Sequence, residues 1–504
     1  MKKPVVLVVL DGWGYREEKK DNAIASANKP NFDKLWQTYP HSLLQASGLA
    51  VGLPQGQIGD SNVGHLTIGS GRPIDTYLVR INKAIQNGEF EKSEVLNNLI
   101  DHTKKHGSTV HVMGLVSPGG VHSHEDHMYA FLDLCATKNI ERVSIHVFTD
   151  GRDTKPQSAK EYIERLEKKL ESLNRDYHIS SISGRYFAMD RDKNWDRIQK
   201  AWDVINATSP SHFDSKASQY LEQKYNEGEK DELLTPSVCK VHEIYGDPIK
   251  ENDGIFYFNF RADRARELSQ KILEIKNTKN LFFATMTQYK EDFDAEVVFP
   301  PLFPDKTLGK IIAENNLSQV HIAETEKYAH ATYFLNGGQE IPNKNEEDIL
   351  IQSRQDIVTH DEAPEMKAFE ITEKAIEKIN EGKDFIFINY ANADMVGHTA
   401  NVNAIIKAVE SVDTCLGRLY DHIEMKGGIL FVTADHGNAE VNADPITRTP
   451  STDHTTNPVP CIITLPDMRL RDGSLSDVAP TILSLFNLNI PKEMTGKSLL
   501  LSKE

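Results

Sequence analysis

Three runs, Val5–Leu10, Phe385–Tyr390 and Ile429–Thr433, carry no charged residue, and each leads within a few residues to an aspartate. A half-exposed strand alternates apolar and polar side chains. A strand that is apolar throughout must be covered on both faces, which is the condition of a parallel sheet in an α/β domain with helices packed on either side. Helical patterns fill the stretches between these runs. In such sheets, ligands collect beyond the carboxyl ends of the strands. The α/β class therefore carries an expectation about place: Asp11, Asp394 and Asp435 gather on one edge.

Other chemistry-bearing residues follow the same rule. Ser61 lies in the glycine-rich stretch Gly59-Asp-Ser-Asn-Val-Gly-His65, His398 stands four residues after Asp394, His436 follows Asp435, and His454 lies beyond. Four residues apart on a helix, Asp394 and His398 point the same way and can share one metal. Any of these residues alone reads as a helix cap or a loop acid; five coincident segments do not. Three carboxylates, three imidazoles and one hydroxyl suit two transition-metal ions around a nucleophilic serine. Serine is a poor nucleophile at its own pKa, and metal coordination is one way to activate it. The set has the composition of a phosphoryl-transfer site.

The chain has 504 residues, 39% hydrophobic and 26% charged, with a net charge of −17. That length accommodates at least two domains. The acidic balance argues against a general nucleic-acid or membrane surface, so attraction for an anionic substrate must come from a local basic cluster. Cys135, Cys239, Cys415 and Cys461 show no metal-ligand spacing and read as reduced thiols. The N-terminal apolar run is too short for a secretory signal and is followed by charge from Arg16 to Asp21. A cytoplasmic address and a monomeric chain are the expectations.

From about residue 77 to 301 the chain carries its own alternating elements: helices near 92–106 and 126–137, strands at 110–115 and 143–149. This second α/β domain lies between Ser61 and Asp394. Residues 1–76 and 302–504 must therefore combine into a discontinuous metal-binding domain, with 77–301 inserted as a substrate-binding domain. Pro300, Pro301 and Pro304 suit one of the two crossings, which together form a hinge. The charge run at 224–232 reads as a solvated turn or helix end. Candidates in the insert are basic: His122, Arg152 beside Asp153, Arg185, Arg191, Arg261 and Arg264. Converging guanidinium forks predict a small, multiply anionic substrate. A plain phosphatase has little need of a large domain to grip its leaving group. A phosphotransferase that must retain the dephosphorylated product does.

These motifs together resemble the cofactor-independent (2,3-bisphosphoglycerate-independent) phosphoglycerate mutase family, of the alkaline-phosphatase superfamily, over essentially the full length. The match rests on Leu10-Asp-Gly-Trp-Gly14, the Ser61 turn, Thr149-Asp-Gly-Arg-Asp-Thr154, Gly184-Arg-Tyr-Phe-Ala-Met-Asp-Arg-Asp192, Glu326-Lys-Tyr-Ala-His330, Asn392-Ala-Asp-Met-Val-Gly-His398, Thr433-Ala-Asp-His-Gly-Asn438 and His454-Thr-Thr-Asn-Pro-Val-Pro460. The resemblance implies an alkaline-phosphatase-like domain and interconversion of 3-phosphoglycerate and 2-phosphoglycerate, in glycolysis and gluconeogenesis, without bisphosphoglycerate. It implies two Mn²⁺ ions, one on Asp394, His398 and His454, the other on Asp11, Ser61, Asp435 and His436. Ser61 would carry the phosphoryl group. His122, Arg152, Asp153, Arg185, Arg191, Arg261 and Arg264 would hold glycerate, Lys327 would assist at the phosphoryl group, and Asp153 would move protons.

Some positions depart from the family pattern. Asp60-Ser61-Asn62 replaces Asn-Ser-Glu, moving a carboxylate across the serine; Ala262 stands where proline is common; and the stretch 349–354 lacks its usual proline. Competing readings are a phosphopentomutase or metal-dependent phosphatase of the same superfamily, and a metal-stabilised binding protein without turnover.

Overall fold

The computed structural model describes residues 3–241, 244–444 and 446–502. The chain forms two compact units, one from Met1–Thr76 with Leu302–Glu504, the other from Tyr77–Pro301.

In the first unit Val5–Leu10 is central. It pairs in parallel with Phe385–Tyr390 on one side and Ile429–Thr433 on the other, with Val5 opposite Phe385 and Ile429. All three strands are buried along their whole length, as their continuous apolar sequences require. The matched register brings their carboxyl ends to one edge. Gln319–Glu324 and then Glu346–Ile351 extend the sheet in parallel beyond Phe385–Tyr390. On the opposite side the sheet becomes mixed: Val459–Ile463 runs antiparallel to both Ile429–Thr433 and His41–Gln45. The parallel expectation holds from Glu346–Ile351 across to Ile429–Thr433 and fails at Val459–Ile463. The helix Val402–Met425 buries Ile405, Val409, Val412, Leu416, Leu419 and Ile423 at three- and four-residue spacing, one apolar stripe against the sheet.

The second unit has its own sheet. Glu296–Phe299, Phe282–Thr287, Gly254–Tyr257, Val110–Leu115, Arg142–Thr149 and Asp176–Gly184 lie side by side in parallel, with separate apolar cores built from its residues. The 224–232 run is the solvated helix end that its charge suggests, with one exception. The helix Ala217–Asn226 ends there, and Asp231 is fully buried, accepting hydrogen bonds from the Ser158 and Ala159 backbone at 2.8 and 2.9 Å. All four cysteines are buried and free. No helix among the described residues is long and apolar enough to cross a membrane.

Candidate active site

Asp11 follows the central strand directly. Gly12 adopts φ +74°, and a Cβ there would lie 2.6 Å from the Asp394 Cα, so only glycine permits the two strand ends to approach this closely. Gly12→Ala is expected to cost about 2 kcal/mol of stability and to depress activity with it. Urea unfolding and initial rates check this; an unchanged midpoint would contradict the contact. Gly64 serves similarly, since its Cβ would stand 2.7 Å from the Asp435 carbonyl oxygen.

Ser61 opens the helix Ser61–Ser70. The preceding Asp60 accepts a hydrogen bond from the Val63 amide at 3.0 Å, so the carboxylate that departs from the family pattern caps the helix. Asn62 Oδ1 lies 3.1 Å from His330 Nε2. The Ser61 Oγ is 2.9 Å from His436 Nε2, 3.3 Å from Asp11 Oδ1 and 2.7 Å from Lys327 Nζ. Lys327 in turn lies 2.6 Å from both Asp11 Oδ1 and Asp394 Oδ2.

The side chains that could hold metal here fall into two groups, Asp394 with His398 and His454, and Asp11 with Asp435 and His436. His398 Nε2 and His454 Nε2 approach Asp394 Oδ1 at 3.3 and 3.1 Å. Their Nδ1 atoms lie 2.8 Å from the Thr452 and Gly59 carbonyls. A carbonyl at Nδ1 keeps the proton there and presents Nε2 as the free donor atom, the usual support of a metal-bound histidine.

Three buried carboxylates face one lysine. Burial opposes ionisation of each. In Asp11, burial and the neighbouring Asp435 prevail and raise the carboxyl above its ordinary range. In Asp394, burial is outweighed by Lys327, His398 and His454, and in Asp435 by His436 and His65, so both are held well below it. Burial acts to lower Lys327, but Asp11 and Asp394 raise it further, so it stays an ammonium. Asp435 Oδ2 is buried without a hydrogen bond of normal geometry. Excess negative charge and imidazoles presented through Nε2 fit divalent metal ions.

Several supporting residues gave no distinct sequence signal. His65 Nδ1 lies 2.9 Å from the Ser61 carbonyl and 3.2 Å from Asp435 Oδ2. Asn389 donates to Asp11 Oδ2 at 2.8 Å and lies 3.0 Å from His65 Nε2. Asn438 donates to Asp394 Oδ1 at 3.1 Å. Glu440, fully buried, accepts from the Gly14 and Asn438 amides at 3.1 and 2.9 Å, from Asn457 at 2.9 Å, and from the Thr455 hydroxyl. Glu440 thereby ties the Asp11 loop to the loops bearing His436 and His454.

In the second unit the basic residues surround two aspartates. Arg185, buried, donates to Asp150 Oδ1 at 2.7 Å and Asp153 Oδ2 at 2.6 Å. Arg191 and Arg261 reach Asp263 at 2.8 and 3.0 Å. His122 stands between, 4.0 Å from Asp153 Oδ2 and 3.9 Å from Asp263 Oδ1. Arg264 donates to the Met189 carbonyl at 3.1 Å, and Arg152 is 3.6 Å from Glu232. Burial and then the nearby Arg191, Arg185 and Arg152 depress Arg264. Burial and Arg185 lower His122 to about 4, so the ring is neutral near pH 7. Asp150 and Asp263 organise the cluster, and as acids among arginines they carry no sequence signal of their own.

The family model that matches residues 3–490 describes a metalloenzyme superfamily. The chain is 46% identical over 509 residues to a 2,3-bisphosphoglycerate-independent phosphoglycerate mutase of Clostridium botulinum (strain Langeland), covering 99% of each chain. It is 46% identical to the protein of that name from Symbiobacterium thermophilum, covering 99% of this chain and 98% of the other. Identity to that of Staphylococcus aureus (strain COL) is 44%, covering 99% of each. A crystal structure of Leishmania mexicana phosphoglycerate mutase, at low cobalt concentration, superposes with a TM-score of 0.60 at 28% identity, covering 100% of this chain and 98% of that one. With relatives this similar over its whole length, the chain belongs to the 2,3-bisphosphoglycerate-independent phosphoglycerate mutases, isomerases of the metalloenzyme superfamily.

Proposed function

We propose that this mutase interconverts 3-phosphoglycerate and 2-phosphoglycerate through a phosphoserine at Ser61, in glycolysis and gluconeogenesis. The observation carrying this reading is the position of the Ser61 hydroxyl, within 3.3 Å of Asp11, His436 and Lys327 at the first turn of a helix. Asp394, His398 and His454 would hold one Mn²⁺ and Asp11, Ser61, Asp435 and His436 the other. Such ions supply Lewis acidity at phosphoryl oxygens and hold a serine as its alkoxide.

Ser61 Oγ attacks phosphorus and the glycerate 3-oxygen leaves; the 2-hydroxyl later attacks the phosphoserine and frees Ser61. Lys327, a permanent ammonium, balances charge on the transferring phosphoryl group. Arg152, Arg185, Arg191, Arg261 and Arg264 retain the glycerate carboxylate and hydroxyls between the two transfers, with neutral His122 beside them. Asp153 gives a proton to the departing 3-oxygen in the first transfer and recovers one from the 2-hydroxyl as it attacks in the second. Asp153→Asn is expected to lower kcat by about 10²- to 10⁴-fold with KM nearly unchanged, and steady-state kinetics reading an intact kcat would remove Asp153 from proton transfer.

Phosphorus NMR of the protein with 3-phosphoglycerate and Mn²⁺, and without bisphosphoglycerate, tests the reaction. Appearance of 2-phosphoglycerate that a chelator abolishes supports it. Free phosphate alone would identify a phosphatase, and an inert mixture would redirect the search to other phosphate esters.

Metal loading should depend on pH. Burial acts to lower His454, but its bond to Asp394 and that carboxylate's charge outweigh it and lift the imidazole to about 9; the Asp394 bond raises His398 as well. Both rings must lose a proton to ligate a metal, so affinity climbs as pH rises. Activity is expected to fall from about pH 8 to about pH 5.5 and to be partly restored there by excess Mn²⁺. A flat profile at limiting metal would count against the assigned ligands.

A further inference from the structure

Away from Ser61, the outer strands of the first unit's sheet bring together a second kind of acidic site. Parallel pairing sets His321 opposite Asp348 and Gln319 opposite Glu346, and strand alternation puts all four side chains on one face. His321 Nδ1 lies 3.4 Å from Glu346 Oε1 and 3.7 Å from Asp348 Oδ1. Ligand atoms about 2.1 Å from a tetrahedral ion stand about 3.4 Å apart, so the spacing is that of a chelating set. The side chains of His321 and Glu346 are 1% and 0% exposed, and that of Asp348 is 11% exposed.

The charges do not balance. Among the described residues, neither carboxylate pairs with a lysine or arginine; the imidazole is their partner. Burial holds His321 below its ordinary pKa despite Glu346 and the Ala331 backbone, so the ring brings no positive charge. Burial and Glu346 together push the Asp348 carboxyl up to about 7. Both His321 ring nitrogens and Asp348 Oδ1 are buried without a hydrogen bond of normal geometry. A proton shared by the carboxyls would relieve their repulsion but leave the imidazole unused. A cation that accepts nitrogen and oxygen donors satisfies all three groups.

We propose that His321, Glu346 and Asp348 form a third metal site, taking a divalent transition-metal ion of the zinc or manganese class. Glu346 is already oriented for it: Asn336 donates to Oε1 at 2.5 Å, and the Asn343 side chain and amide donate to Oε2 at 2.7 and 3.1 Å. Such outer partners fix a ligand carboxylate before the ion arrives. Asp348, the most exposed of the three, leaves room for a water as the fourth ligand. The role is structural. The strand bearing His321 runs into the Thr325–Lys327 turn, and Tyr328 just beyond is raised by burial and by Asp348 and Glu346. An ion here clamps the sheet's outer strand to the segment that carries Lys327.

The test is a difference between folded proteins, so it does not depend on how many ions the Ser61 site holds. Wild type, Asp348→Asn and His321→Gln are saturated in parallel with Zn²⁺ and with Mn²⁺, freed of loose metal by gel filtration and analysed by mass spectrometry of the elements. With at least one of the two ions, each variant is expected to hold one metal fewer per chain than wild type. Metal should also raise the melting temperature of wild type more than that of either variant. Circular dichroism certifies folding, and the second variant stands if the first does not fold. Equal metal content in wild type and a folded variant with both ions would overturn the site.

Discussion

Ser61→Ala is expected to lower kcat for the conversion of 3-phosphoglycerate by about 10⁴-fold or more while leaving the fold intact. The hydroxyl makes its contacts to Asp11, His436 and Lys327 from the first turn of a helix whose cap is the neighbouring Asp60. Alanine keeps that helix start, and the lost hydrogen bonds are worth only about 1 kcal/mol each. The loss of rate therefore reports chemistry. Incubation with labelled substrate and acid quenching should trap phosphate on wild type and none on the variant. A variant whose kcat stays within about tenfold of wild type would remove the phosphoserine from the mechanism and leave direct transfer between the two hydroxyls.

The reactive groups were legible because their signals are discrete. Asp11, Asp394 and Asp435 each follow a strand whose unbroken apolar sequence dictates its burial, and the shared register of those strands then fixes where the carboxylates meet. The supporting groups were not. Asn389 lies inside one of those apolar runs, and its side chain is explained only by the distant Asp11 and His65. Glu440 reads as one more surface acid until the Gly14, Asn438, Thr455 and Asn457 donors converge on it. Asp231 is the buried exception in a solvated run for a related reason: its partners are two amides 73 and 72 residues earlier in the chain. The antiparallel strand Val459–Ile463 escaped because a short buried run looks the same in either direction.

Lys327→Met separates the electrostatic parts of the site. Methionine fills similar volume without the charge, leaving Asp11, Asp394 and Asp435 to face one another in a space where all are at most 3% exposed. Removing one partner of a buried ion pair typically costs about 3–5 kcal/mol, and here a single ammonium serves two carboxylates at 2.6 Å. The chelated variant is expected to lose stability of that order in urea unfolding. Under the proposed ligand assignment, Mn²⁺ would supply replacement positive charge to the same carboxylates, so the loss should shrink markedly when metal saturates the protein. Activity should not recover in step, because the ammonium also lies 2.7 Å from the Ser61 oxygen proposed to accept the phosphoryl group; a fall of about 10²- to 10³-fold in kcat is expected with metal present. Stability loss of equal size with and without metal would mean that the ions do not share these carboxylates, and full activity in the metal-loaded variant would confine Lys327 to a structural counter-charge.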